Sequence, residues 1–156
     1  MAIDFVHYHH TDLALHTWSG NFNLEALLSA TRAYLLSPAQ FEILDVRRLN
    51  LDSINTMDLF KLAEHLRSAY ESDRHVPGKT AIVYQEEIPH IYSSSQRLFH
   101  SFSIWVKEHK LPRDFALFPS MADAVEWLGN RNISDLHADG LTPKAAEIAP
   151  DQALSA

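Results

Sequence analysis

The sequence predicts an α/β domain, a mixed and roughly five-stranded sheet packed by about four helices. Three observations carry this. Two β-type runs stand back to back at the N-terminus, joined by a few polar residues, which makes an antiparallel hairpin. After them, strand-like runs alternate with segments of helical period, as in parallel β-α units with right-handed crossovers. The chain has 156 residues, 46% of them hydrophobic, the size and apolar content of one domain that buries a core without staples.

The hairpin is read as Asp4 to His10 with Leu13 to Ser19, because aromatic and aliphatic residues mix with polar ones at period two. "GNFN" then supplies turn chemistry and a helix cap at Asn21 or Asn23. The first helix is Leu24 to Leu36. Leu24, Leu27, Leu28, Thr31 and Leu35 form its apolar face, and Pro38 ends it. Phe41 to Val46 is a strand. Thr56 to Tyr70 is a second helix, with Leu59, Leu62, Ala63, Leu66, Ala69 and Tyr70 at helical spacing. Residues 72–78 are a loop and Lys79 to Gln85 the next strand.

"EEIPHIYSSS", Glu86 to Ser95, is loop and helix start. Gln96 to His109 is a third helix with Leu98, Phe99, Phe102, Trp105 and Val106 on a wide apolar face. "LPRD" breaks it, and Phe115 to Phe118 is a short strand. In the last helix Ser120 is the cap, Asp123 stands at the third helical position and Gly129 is the stop. Residues 1–129 are thus one domain. Residues 130–156 show no sustained apolar face and are expected to be a poorly ordered tail.

Composition excludes several function classes. The formal charge of -7 argues against a broad basic footprint for nucleic acid. The absence of cysteine removes disulfides, thiolate metal sites and cysteine nucleophiles, and suits a reducing cytoplasm. No basic, apolar leader opens the chain, and no apolar run is long enough to span a bilayer. A cytoplasmic location without integral membrane association is expected.

Three motifs carry a resemblance. "SGNFNLEAL" is a strand-to-helix entry. "ILDVRRLN" ends a central strand in Asp-x-Arg, here Asp45 and Arg47. "FPSMADAVEWLG" joins the closing strand to a helix with Ala124, Trp127 and Leu128. In this order they resemble the small bacterial STAS-like family, relatives of anti-sigma-factor antagonists with described similarity to CRAL-TRIO lipid-transfer domains. "SSQRLF" adds a weaker match in Arg97, Leu98 and Phe99, with Ser94 where that family tends to have Gly. The resemblance spans Leu13 to Gly129. It implies the fold and little chemistry.

The established antagonists carry a phosphoacceptor serine beside small residues at a helix start. Here Asp52-Ser53 is followed by Ile54 and Asn55, and the loop is shorter by one. Ser53 is therefore read as part of a polar loop rather than as a phosphoacceptor, with Asn55 or Thr56 capping the second helix and Asp58 suiting its dipole.

Other constellations are weighed on their residues. His7 and His9 share a strand face, with His16 on the partner strand. They are read as a polar, aromatic-rich edge, so no metal or cofactor is expected. Ser93, Ser94 and Ser95 lie near His90 and His100, but no Gly-x-Ser-x-Gly elbow is present. The four glycines form no phosphate loop.

The strongest candidate for a ligand is "YSSSQR". It follows a strand and opens a helix, so free amides, the hydroxyls of Ser93, Ser94 and Ser95, and the Arg97 guanidinium converge there. Arg47 and Arg48 end a strand on the same side, where open α/β sheets bind ligands.

Phe99, Phe102 and Trp105 line either core or a lipid-sized cavity. The expected function is a non-enzymatic regulatory or interaction module that binds a partner protein, with homo-oligomers allowed. The alternative is a carrier or sensor of a small anionic or lipid-like ligand, and a minor third is an unrecognised hydrolase. A cavity lined by Phe102 and Trp105 would favour the carrier. A filled core with an exposed apolar surface would favour the module.

Overall fold

A computed structural model describes residues 1–36, 39–72, 77–85, 94–108, 110–111 and 113–129, with the backbone alone at 72 and 94–97. Pro38 and the tail expected after Gly129 lie outside the described residues. The elements are β1 (Ala2–Tyr8), β2 (Leu13–Asn21), α1 (Leu24–Leu35), β3 (Phe41–Asn50), α2 (Thr56–Ser72), β4 (Lys79–Val83), α3 (Ser94–Glu108), β5 (Asp114–Phe118) and α4 (Met121–Leu128).

The five strands form one sheet in sequence order. β1 runs antiparallel to β2, and every other neighbouring pair is parallel. Each crossover from β2 to β5 steps one strand in the same direction, so right-handed connections leave α1, α2 and α3 on one face. The larger core lies there: Trp18, Val46, Leu49 and Ile82 of the sheet meet Leu27, Leu59, Leu62, Leu66 and Phe102 of the helices. α4, the last described element, folds onto the opposite face. Its Met121, Ala124 and Leu128 cover Leu13, Leu15, Ile43, Ala81 and Val83.

The caps follow local chemistry. Asn23, not Asn21, caps α1, accepting from the Ala26 N–H at 2.8 Å. Ser120 Oγ accepts from the Asp123 N–H at 3.2 Å, and Gly129 ends α4 at φ 70°, a left-handed conformation that favours glycine.

Three expectations are corrected. β1 ends at Tyr8, so His9 is in the turn and not on the strand. Tyr8 O accepts from both the N–H and the hydroxyl of Thr11, at 3.3 and 3.2 Å, and Asp12 takes φ 47°. This geometry leaves the extended region two residues earlier than the alternation suggests.

β3 runs four residues past Val46, to Asn50. Thr17 pairs with Asp45 but Ser19 pairs with Arg48, so β3 carries one extra residue there. A bulge shifts the side-chain phase. Val46 and Leu49, three apart, therefore reach the same core.

On α1 the fully buried residues are Leu27, Ala30, Thr31 and Tyr34. The buried stripe is rotated from the expected one, because Tyr34 is drawn to polar partners inside the sheet layer. Leu35 and Leu28 pack only at its margin.

Candidate functional site

The C-terminal half of β3, whose Arg47 is expected to join Ser93 to Arg97 after β4 in holding a ligand, carries a fixed ion pair. The bulge brings the Asp45 carboxylate under the Arg47 fork. Arg47 Nε and Nη2 donate to its two oxygens at 2.9 and 2.8 Å, and the Arg47 N–H adds a third bond at 3.1 Å. Hydrogen bonding to the Asp45 carboxylate raises the Arg47 pKa, partly opposed by burial. The guanidinium face is thus held locally, while Arg48 next to it is exposed. Ser93 lies outside the described residues, as do His90 and the side chains of Ser94, Ser95 and Arg97.

Ser53 sits in a tight turn. The Asp52 N–H donates to Asn50 Oδ1 at 2.8 Å, and Ser53 Oγ donates to the Phe22 carbonyl at 3.0 Å, tying this loop to the entry of α1. Asn55 caps α2. Its Oδ1 accepts from the Asp58 N–H at 3.0 Å, and Asp58 Oδ2 accepts from the Asn55 N–H at 3.2 Å, a reciprocal capping box.

The hairpin histidines lie near one another without forming a ligand set. His7 Nε2 bonds Asp12 Oδ1 at 3.1 Å, with the His9 ring 4.4 Å from that of His7. His16 lies on the same sheet face opposite Phe5, deeper in, with its ring against that of Tyr34 at 5.0 Å. Among the described residues no three side chains are placed to hold a metal ion.

The described surface carries one apolar feature at the joint of α2 and α3. Met57 and Phe60 lie one turn apart and off the Leu59, Leu62, Leu66 stripe, so they cannot reach the core. Met57 is 61% exposed, Phe60 38% and Ile104 57%. Phe60 meets Trp105 edge to face at 5.6 Å. Met57, Phe60 and Trp105, with Asn55 and Thr56, line an open groove of about 460 Å³.

Among the described residues the core beneath is nearly filled. A cavity of about 50 Å³ remains, lined by Trp18, Tyr34, Thr80, Phe99 and Phe102 among others, but not by Trp105. Engineered cavities of roughly 150 Å³ are needed for a ligand the size of benzene. An acyl chain has no room there.

A polar cluster, which periodicity did not reveal, lies at the opposite end of the sheet. Glu42 on β3, Thr80 on β4, Tyr34 on α1 and Arg113 before β5 are all buried. The Glu42 carboxylate accepts from the Tyr34 hydroxyl, from Thr80 Oγ1 at 2.9 Å and from the Ala39 N–H at 3.2 Å. Arg113 Nη2 lies 3.2 Å from Glu42 Oε2. It also donates to the carbonyls of Gln40 and Lys79 at 3.3 Å, and Nε donates to Thr80 Oγ1 at 3.2 Å. Burial raises the Glu42 pKa against the opposing pull of Arg113 and the three donors. Burial, then the Glu42 charge, raises that of Tyr34 well above the phenol range. Tyr70 is pushed up to about 12, mainly by burial. The cluster is sealed, so it braces the strands and cannot reach a substrate.

His16 beside it has a consequence for pH. Burial, with a smaller push from His7, lowers its pKa to about 4, and Nε2 has no hydrogen-bond partner among the described residues. The unfolded chain takes up this proton near pH 6.5. The folded chain resists it until about pH 4. Stability from a neutral His16 is therefore complete above the unfolded pKa and lost as pH falls through that window. Urea unfolding should show a loss of about 2–3 kcal/mol between about pH 7 and about pH 4.5, largely absent in His16→Leu. Glu42 has the opposite sign, since its raised pKa favours the fold as it protonates. An equal loss in His16→Leu would assign the effect elsewhere.

Compared with protein-family models and with curated proteins, the chain gives no match. Among the described residues no helix is long and apolar enough to cross a membrane.

Proposed function

We propose that this chain is a STAS-like, non-enzymatic interaction module of the cytoplasm, and that the α2–α3 groove receives a partner protein. The observation that carries this is the groove lined by Met57, Phe60 and Trp105, with Met57 and Phe60 exposed, above a core that is nearly filled among the described residues. Apolar residues that cannot reach the core, gathered in one place, are the usual mark of a recognition surface.

A groove lined by five residues falls well short of the roughly 20–30 residues, about 800 Å² per side, of a stable folded-domain interface. It suits two or three apolar side chains from one face of a partner's amphipathic helix, seated on the Phe60–Trp105 pair. A lipid carrier would need an internal space that the cavity of about 50 Å³ does not supply. A small anionic ligand would have to use Arg48 or the segment around Ser93 to Arg97.

Phe60→Asp tests the groove. Phe60 is half-exposed, so the fold should persist, checked by an unchanged melting profile. A partner retained stoichiometrically by the full chain should bind about tenfold or more weakly to Phe60→Asp and unchanged to Arg48→Ala. Equal retention by Phe60→Asp would overturn the groove as the recognition surface. A native mass spectrum with a tightly held small molecule would favour the carrier instead.

A further inference from the structure

We propose that β1 is a self-pairing edge, through which two copies of this chain join their sheets antiparallel about a two-fold axis near Phe5. The two edges of the sheet differ. β5 is packed by α3 and by α4, whereas the close packing of β1 is with β2 alone among the described elements. A seven-residue strand presents about 23 Å of edge, at about 3.3 Å per residue. Alternate peptide groups along it point away from β2.

Edges of this length are normally blunted by lysine, proline, a bulge or a covering element. The strand "AIDFVHY" has no lysine or proline, and its register with β2 runs unbroken from Ala2 to Tyr8. Its apolar side chains are also left open: Phe5 is 44% exposed and the adjoining Met1 65%.

The strand is self-complementary, and charge selects the register. Asp4 is the single acidic residue of the strand. Pairing centred on Asp4 would set two carboxylates face to face, which is destabilising. Pairing centred on Phe5 uses the full strand of both copies. It sets Phe5 against Phe5, Ile3 against His7, and Asp4 against Val6 of the second copy. A two-fold pairing consumes both β1 edges, so the assembly closes at the dimer. Its area falls at the low end of specific interfaces, and copies bearing -7 each repel. The dimer should therefore dissociate on dilution.

Sedimentation velocity of the full chain across a dilution series tests this. Wild type should pass from monomer to dimer as concentration rises. Phe5→Lys, which puts a lysine at the centre of the edge, should weaken the dimer about tenfold or more, with far-UV circular dichroism unchanged. A second readout does not depend on that variant. The chain has no cysteine, so Phe5→Cys carries one thiol. Opposed residues of an antiparallel pair lie about 4.5–5.5 Å apart at Cα, within disulfide reach. Mild oxidation should cross-link Phe5→Cys and leave the groove variant Met57→Cys uncoupled. A chain that stays monomeric at every concentration would overturn the proposal. So would a dimer cross-linked through Met57→Cys and not through Phe5→Cys, which would place the contact on the groove.

Discussion

Arg113→Met is expected to cost the domain about 3–5 kcal/mol, the usual penalty for leaving one member of a buried ion pair uncompensated. Both side chains are 2% exposed, so water cannot replace the lost partner. The methionine keeps the apolar stem of the arginine, which confines the loss to the guanidinium. Three acceptors besides Glu42 lose a donor as well: Thr80 Oγ1 and the carbonyls of Gln40 and Lys79. Against a total stability of about 5–15 kcal/mol, the melting temperature should fall by about 10–20 °C.

Two further measurements identify the cause as charge rather than packing. Glu42→Gln in the Arg113→Met background removes the unpaired carboxylate yet leaves an acceptor for Tyr34 and Thr80. It should recover about 1–3 kcal/mol, a coupling typical of contacting residues. The deficit of Arg113→Met should also narrow at acid pH, where Glu42 becomes neutral. Its pKa is raised by burial, and the loss of Arg113 removes the one cation that opposes that rise. A loss below about 1 kcal/mol, with no dependence on Glu42, would reduce the cluster to ordinary polar packing.

This cluster also marks the limit of what periodicity discloses. The order of elements, the mixed sheet and the caps at Asn23, Ser120 and Gly129 follow from alternation, helical spacing and capping chemistry, each a local property. Glu42 looks like the polar partner in an alternating strand, and Arg113 like a loop charge in "LPRD". Their burial depends on meeting each other, Thr80 and Tyr34 across three crossovers, which no local pattern encodes. The bulge in β3 is hidden for a similar reason: one inserted residue turns a period-two strand into an apparent loop, so "RRLN" reads as an ending.

The groove was partly legible. Met57 and Phe60 stand off the Leu59, Leu62, Leu66 stripe, a local signal for apolar residues with no place in the core. Trp105 belongs to the wide apolar face of α3, which reads as core from its spacing. Only the packing of α2 beside α3 shows that Trp105 lies at its outer margin, with Phe60 standing over it.

Gly78→Ala is expected to cost about 4 kcal/mol or more, in the range reserved for severe core disruption. The reason is steric. A Cβ on Gly78 would stand 2.0 Å from the Gln40 carbonyl oxygen and 2.8 Å from its carbon, where ordinary contact begins at 3.4 Å. The obstacle is backbone, so no rotamer change relieves it. That backbone is also held from several sides. Gln40 O accepts from the Lys79 N–H at 3.0 Å and from Arg113 at 3.3 Å, while the Gln40 N–H donates to Asp12 Oδ2 at 3.1 Å. Gly78 O in turn accepts from the Asp114 N–H at 3.1 Å. Moving Gln40 aside would therefore disturb the hairpin turn, the starts of β3 and β4 and the Arg113 contact together. Gly129→Ala supplies the contrast. There the added carbon meets nothing nearer than 3.8 Å, and only the φ of 70° is unfavourable, a strain of about 1–2 kcal/mol. Urea titrations of the two variants should rank Gly78→Ala well below Gly129→Ala, with the former largely insoluble or unfolded at 37 °C on expression. Equal costs at the two sites would mean that the β3 and β4 starts are not packed as closely as the 2.0 Å approach requires.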